Sequence, residues 1–492
     1  MVEGLRRWIL GRFVMQGRRL GGVRRVRSGP FFEAALCTSL IALLSSCVFA
    51  EAPKFQNSDR VCFIGDSITQ QAHYHTQILL FYATRFPQMR LTTWNCGLAG
   101  DSAAGAVRRY AWDIAPRKPT VATIMLGMND VGRSLYAEDK SGPQVEARRR
   151  QAIGSNTNNM GKLVGLLAQD GARIILITPS LFDQTGNQKT ERLFGVNDAL
   201  KACGEAARNL AHQHKQGFVD FNGPMEDMNK TGQGRDPNFT IVGNDRVHPG
   251  PVGHLVMAYL FLRAQGMSPT VAHMEIDAAR RTIVVQDNCE ISALSMTNGT
   301  LSFACLENAL PFPTDTTNQE ALRLVPFMAE LNRETLKVSG LPDGQHQVWI
   351  DGKLVLETTA AALRDGVNMA AVKETPQYQQ AQNVHRLVTQ RAEIESRKLR
   401  IFAQVEHSFF SGLKERSPEI ERKVLEEGLA AAKKSDSVLG RYRAGVIEAY
   451  WKLIPEKENF ERQAAERMVE VYVANKPKPH HYAIRPVPST RP

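Results

Sequence analysis

Between residues 60 and about 266, short apolar runs alternate with longer amphipathic stretches, and this alternation limits the fold more than any other feature of the chain. The runs RVCFI (60–64), LTTW (91–94), TVATIML (120–126), ARIILIT (172–178) and GFVDF (217–221) have strand length, while 70–84, 146–169 and 191–214 carry apolar residues at helical spacing. Strands separated by helix-length segments pair in parallel, and the crossover helices then cover both faces of the sheet. Ligands of such sheets gather beyond the carboxyl ends of the strands.

A chain of 492 residues exceeds one compact core, and 43% apolar with 23% charged residues describes a globular protein. The formal charge of +11 suggests an anionic partner, but the first fifty residues hold eight arginines and two glutamates and so supply +6 of it. The remainder gives no case for nucleic acid. Residues 1–50 read instead as an export signal, with arginines from Arg6 to Arg27 preceding the apolar FFEAALCTSLIALLSSCVFA. Cleavage after VFA would release the protein, whereas LSSC at 44–47 resembles a lipoprotein pattern that would lipidate Cys47. Either reading exports the chain to the periplasm or beyond.

Beyond that segment, Cys62, Cys96, Cys203, Cys289 and Cys305 are odd in number and form no C-x-x-C pair, which argues against a zinc site or a dense disulfide framework. Cys289 and Cys305 could pair, although a turn at Asn298-Gly299 would not set them directly opposite.

Four polar motifs fall at expected strand ends: Gly65-Asp66-Ser67, NCGLAGDSA (95–103), LGMND (126–130) and NDRVHPG (244–250). Each has an ordinary explanation as a cap or turn; Ser67, for one, stands where a helix start is expected. Four such coincidences at one sheet edge are harder to accept than one chemistry. A serine hydroxyl needs a base, His248 is suited to that work, and Asp245 three residues earlier can reach its Nδ1 and fix the tautomer. An attacked carbonyl becomes an oxyanion, for which the N–H groups of Ser67 and Gly100 and the Asn129 amide are candidate donors, each worth roughly 100- to 1,000-fold in turnover.

The ordered blocks GDS, G-x-x-G-D, G-x-N-D and D-x-x-H resemble the SGNH hydrolases, also called GDSL esterases and lipases, with Ile68 where the name-giving motif has Leu. The resemblance implies a three-layer α/β/α flavodoxin-like domain over 55–268, without metal or cofactor. It also implies Ser67 as nucleophile, Asp245 and His248 completing a triad, and Ser67, Gly100 and Asn129 as the oxyanion hole. The expected activity is hydrolysis of carboxylic esters through an acyl-enzyme, on short acyl groups of carbohydrates. Three alternatives stay open: a lipase or lysophospholipase of the same superfamily, a metal-dependent phosphoesterase using Asp66, Asn129, Asp245 and His248, and a noncatalytic glycan-binding or cell-surface scaffold. His73, Tyr74 and His75 are either substrate contacts or ordinary helix residues, and Trp94 and Trp112 read as core.

Residues 270–360 read as a small β-rich accessory unit, with strands in RTIVVQD, EISALSM, TLSFACL and HQVWIDGKLVL and a tight hairpin at Asp351-Gly352. A helical region follows over 374–475, opened by Thr375-Pro376 with Tyr378, Ala381, Val384 and Val388 on one face. The tail, 476–492, is rich in proline and basic residues and is expected to be disordered, with His480 and His481 incidental.

Overall fold

The structure, a computed structural model, describes residues 52–314 and 319–487. Residues 1–50, expected to be an export signal, with Cys47 among them, and the last five residues of the tail lie outside the described residues.

Five strands, β1 (Arg60–Gly65), β2 (Thr92–Gly97), β3 (Val121–Met125), β4 (Arg173–Ile177) and β5 (Gly217–Val219), form a parallel sheet in the order β2-β1-β3-β4-β5. Side chains alternate across a strand, so each apolar run feeds two cores at once. Val61, Phe63, Val121, Ile175 and Val219 face one core, closed by the helices His73–Arg85 and Pro251–Ala264. Cys62, Ile64, Ala122, Ile174 and Phe218 face the other, closed by Ala103–Arg109 and Pro143–Gln169. This is the α/β/α arrangement expected from the alternation. The strand order reverses direction at β1, whose terminal Gly65 lies beside Gly97 of β2 and Met125 of β3.

The β-rich region comprises two sheets: β13 (Val367–Asn368), β10 (Arg333–Ser339), β6 (Thr270–Asp277) and β7 (Thr282–Asp287) in that order, and β12 (Lys353–Thr359), β11 (Gln345–Ile350), β14 (Pro479–Pro486), β9 (Thr300–Glu307) and β8 (Cys289–Thr297), enclosing a core that includes Met274, Ile276, Phe303, Val338, Val348 and Tyr482. The Asp351-Gly352 turn has φ +49° and +78°, the doubly positive geometry of a tight hairpin, between β11 (Gln345–Ile350) and β12 (Lys353–Thr359). Two strands had no counterpart in the sequence reading: β6 (Thr270–Asp277) and β10 (Arg333–Ser339), which pair in parallel. In β8 (Cys289–Thr297) and β9 (Thr300–Glu307), Cys289 faces Glu307 and Cys305 faces Ile291, so the two sulfurs are diagonal and remain free thiols.

The expectation of a disordered tail is corrected for its first part. Pro479–Pro486 is a strand, β14, hydrogen-bonded between β9 and β11 in the middle of the second sheet. His480, Tyr482 and Ile484 are buried in alternation, and the Tyr482 ring stacks on Phe303 at 4.8 Å. The prolines that suggested disorder stand at the two ends of the strand.

The helix Pro376–Ile394 starts as expected, with Thr375 Oγ1 accepting the Tyr378 N–H at 3.2 Å. It continues through a wide π-type turn, Glu395–Leu399, into Arg400–Val405. Ala381, Val384, Val388 and, from the Lys457–Ala474 helix, Val471 join the same core as Phe63 and Val61, so the helical region is part of the main body.

Candidate active site

Gly65 ends β1 where no side chain fits: an added Cβ would lie 2.1 Å from Thr69 Oγ1 and 3.0 Å from the Met125 carbonyl. The chain then turns into a short helix, Ser67–Gln70, and the helix is capped not by Ser67 but by Asp66, whose carboxylate accepts the Ile68 N–H at 2.9 Å. The Ser67 hydroxyl is thereby left free and donates to His248 Nε2 at 2.7 Å. His248 Nδ1 in turn donates to Asp245 Oδ2 at 2.6 Å, while the other Asp245 oxygen accepts the N–H groups of Val247 and His248 at 3.0 Å each.

An ionised carboxylate can only accept, so Nδ1 carries the proton and Nε2 is left as the acceptor facing Ser67. Burial acts to raise the Asp245 carboxyl, but the His248 ring and the two N–H groups outweigh it and hold Asp245 well below the usual carboxylate range. Arg246, within the same motif, has φ +66° and is fully buried; its guanidinium donates to the carbonyls of Asp183, Gly186, Gln188 and Thr190. That residue fixes the turn carrying Asp245 and His248, and only its place inside D-x-x-H marked it in the sequence.

Gly100 has φ +76°, with open space where a side chain would stand, and the Asn129 amide donates to the neighbouring Asp101 carbonyl at 2.9 Å. Asp130 accepts the Ala103 N–H at 2.9 Å, tying the loop after β3 to the loop after β2. Asp101 is held by Arg109 (Nε to Oδ2, 2.8 Å), Arg109 by Asp113, and Asp113 by both guanidinium arms of Arg400 at 2.8 and 2.9 Å. Arg400 also donates to the Gly97 carbonyl at 2.8 Å. The helical region thus grips the turn that carries Gly100.

Of the alternative ion-binding set, Asp66 is turned to Ile68, Asn129 to Asp101 and Asp245 to His248. Among the described residues no group of three His, Cys, Asp or Glu side chains is arranged to hold a metal ion.

Burial raises the Asp66 carboxyl from 3.8 to about 7, against the Ile68 N–H and the His248 ring, which act to lower it. A carboxyl raised on folding contributes stability that is complete below its unfolded value, near 4, and lost as pH rises through about 7. Asp66→Asn keeps an acceptor for Ile68 and removes that loss. Its stability relative to the parent is expected to climb between pH 4 and 8, by about 4 kcal/mol, in urea unfolding across that range; a pH-independent difference contradicts the assignment.

Ser67 opens onto a cavity of about 710 Å³. His73 lines it, whereas Tyr74 and His75 are buried in the core, His75 against Phe63 with its Nε2 on the Thr69 carbonyl at 3.1 Å. The far wall belongs to the helical region: Thr389, Ala392, Glu393, Ser396, Arg397 and Tyr442. Trp94 and Trp112 are half-buried and line a separate cavity of about 740 Å³ against the same helices.

A family model described as the GDSL-like Lipase/Acylhydrolase family matches residues 63–256. A solved structure, "BT4096 a gut microbial diltiazem-metabolizing enzyme", is 32% identical, with a TM-score of 0.81 over 89% of this chain and 99% of that one. The chain belongs to the GDSL-like lipase/acylhydrolase family. An acetylxylan esterase from Geobacillus stearothermophilus is 24% identical over 233 residues, 43% of this chain and 96% of that protein. This member of the GDSL, or SGNH, family is a hydrolase acting on ester bonds. The family model ends within the Pro251–Ala264 helix, while the likeness to BT4096 extends far beyond it.

Proposed function

We propose that the protein is a serine esterase that removes short acyl groups, acetyl foremost, from carbohydrate hydroxyls through an acyl-enzyme on Ser67. The observation that carries this reading is the continuous line from Ser67 Oγ to His248 Nε2, 2.7 Å, and from His248 Nδ1 to Asp245, 2.6 Å.

Ser67 Oγ attacks the ester carbonyl carbon as His248 Nε2 takes the hydroxyl proton; the carbonyl electrons move to oxygen, and Asp245 stabilises the imidazolium. The oxyanion is met by the N–H groups of Ser67 and Gly100 and by the Asn129 amide, whose bond to Asp101 fixes its direction. Collapse breaks the bond to the alcohol oxygen, which leaves with the proton from His248. Water, deprotonated by His248, then attacks the acyl carbon and releases the acid, and the proton returns to Ser67.

Support for a carbohydrate acetate comes from the likeness to the acetylxylan esterase and from a polar cavity wall, with Thr, Ser, Glu and Arg side chains where a lipase would need an apolar track. The BT4096 relative is by its name a diltiazem-metabolizing enzyme, so a protein of this architecture acts on diltiazem. The reading of residues 1–50 as an export signal accords with a polymeric substrate outside the cell.

A panel of p-nitrophenyl esters and acetylated oligosaccharides tests the reading. Acetyl esters are expected to exceed octanoyl esters by at least about tenfold in kcat/KM, since each 1.4 kcal/mol of lost fit is tenfold, and a chelator is expected to leave the rate unchanged. Preference for long acyl chains would favour the lipase reading, and loss of activity with chelator the metal-dependent one.

A further inference from the structure

The Pro376–Ile394 helix approaches Ser67 with one polar stripe. Thr389, Ala392, Glu393, Ser396 and Arg397 follow one another at intervals of three, one, three and one residues, so they share a face, while Ala381, Val384, Leu387, Val388 and Ile394 pack into the core on the other side. The stripe crosses directly into the π-type turn Glu395–Leu399. Such turns are rare and recur at functional sites because they push side chains out of helical register.

This turn is held from both sides. Arg391 donates to Thr93 Oγ1 and to the Thr93 carbonyl and pairs with Glu395, and Arg400 donates to the Gly97 carbonyl, so the two ends of the turn are fastened along β2. Glu393 and Arg397 stand four residues apart, the spacing at which Glu and Arg ordinarily pair on a helix. Here they form no ion pair with each other, and neither has a side-chain hydrogen bond with any described residue. Both are exposed at the rim of the cavity that contains Ser67. A fastened helix that presents an unpaired carboxylate and an unpaired guanidinium, with Ser396 between them and Thr389 one turn before Glu393, offers acceptors and donors to a ligand.

We propose that this stripe is the subsite for the alcohol half of the ester, and that Glu393 and Arg397 select a polyhydroxylated, glycosyl alcohol by hydrogen bonds to its ring hydroxyls. The inference rests on the esterase reading above. His248 must hand its proton to the departing alcohol oxygen, so that half of the substrate lies on the histidine's side of Ser67, and Pro249, Gly250 and Pro251 line this same cavity. A cavity of about 710 Å³ is far larger than an acetyl group needs and falls within the range of about 300–1,000 Å³ that holds a ligand of several rings.

The test is the ratio of kcat/KM on an acetylated xylo-oligosaccharide to kcat/KM on ethyl acetate, whose alcohol carries no further hydroxyls. In the double variant Glu393→Gln, Arg397→Met the ratio is expected to fall about 30-fold, mostly through KM on the saccharide. Glu393→Gln alone, a minimal change on an exposed position, is expected to lower it about fivefold. A ratio unchanged within twofold in both variants overturns the proposal, as does a parent enzyme that turns over ethyl acetate but no acetylated saccharide. A parent that hydrolyses neither ester and takes no fluorophosphonate label would instead remove the esterase reading beneath it.

Discussion

Ser67→Ala is expected to lower kcat on p-nitrophenyl acetate by about 10⁴-fold or more, leaving the folded protein intact. The size follows from what the hydroxyl does: its Oγ is 2.7 Å from His248 Nε2, so the proposed attack and its proton transfer both run through this one side chain. The fold is spared because the cap of the Ser67–Gln70 helix belongs to Asp66, so the substitution removes no backbone hydrogen bond. Circular dichroism and unfolding curves matching the parent, with activity lost, are the predicted pair of results. Activity within tenfold of the parent would deny Ser67 the role of nucleophile.

Arg400→Met is expected to destabilise the protein by about 3–5 kcal/mol in urea unfolding, because one partner of a buried charge network is removed while the others stay buried. Asp113 sits in burial that acts to raise it, and Arg400 and Arg109 together hold it well below the usual carboxylate range. Without Arg400, Asp113 keeps only Arg109, and the Gly97 carbonyl loses its donor. The same network reaches Asp101 through Arg109, and the Asp101 carbonyl orients Asn129, so turnover should fall along with stability. Arg400→Lys retains the charge but not the two-pronged contact and should lie between the two. A loss below about 1 kcal/mol for Arg400→Met would mean that water or relaxation replaces the contact.

The sheet was legible because β1, β3, β4 and β5 are apolar runs buried on both faces, a pattern that survives without tertiary information, whereas β2 carries Thr92, Thr93 and Asn95. The place of Ser67 could be read from the end of β1, since a parallel sheet brings such ends to one edge, but Asp245 and His248 follow the Asn222–Gln233 helix and lead into Pro251–Ala264, so only their motif pointed to them. Which residue caps the first helix could not: Asp66 and Ser67 are both good caps, and the choice depends on Gly65 packing against Thr69. β14 was hidden because the proline content outweighed a short alternation of His480, Tyr482 and Ile484, whose burial exists only once β9 and β11 are in place.

The polar face of the Pro376–Ile394 helix shows the same limit. A stripe of Thr, Glu, Ser and Arg opposite a packed face reads as a solvated surface wherever the helix lies. Only the fastening of Arg391 and Arg400 to β2 directs that stripe toward Ser67. Sequence periodicity reports which face is apolar and nothing about what the other face meets.

In the proposed reaction, acyl transfer takes place on one serine activated by one histidine. Incubation with a fluorophosphonate, digestion and mass spectrometry measure it directly. A single adduct on the peptide containing Ser67 is expected, lost when His248 is replaced by alanine. An adduct on another residue, or full ester hydrolysis by a protein that takes no label, would contradict it.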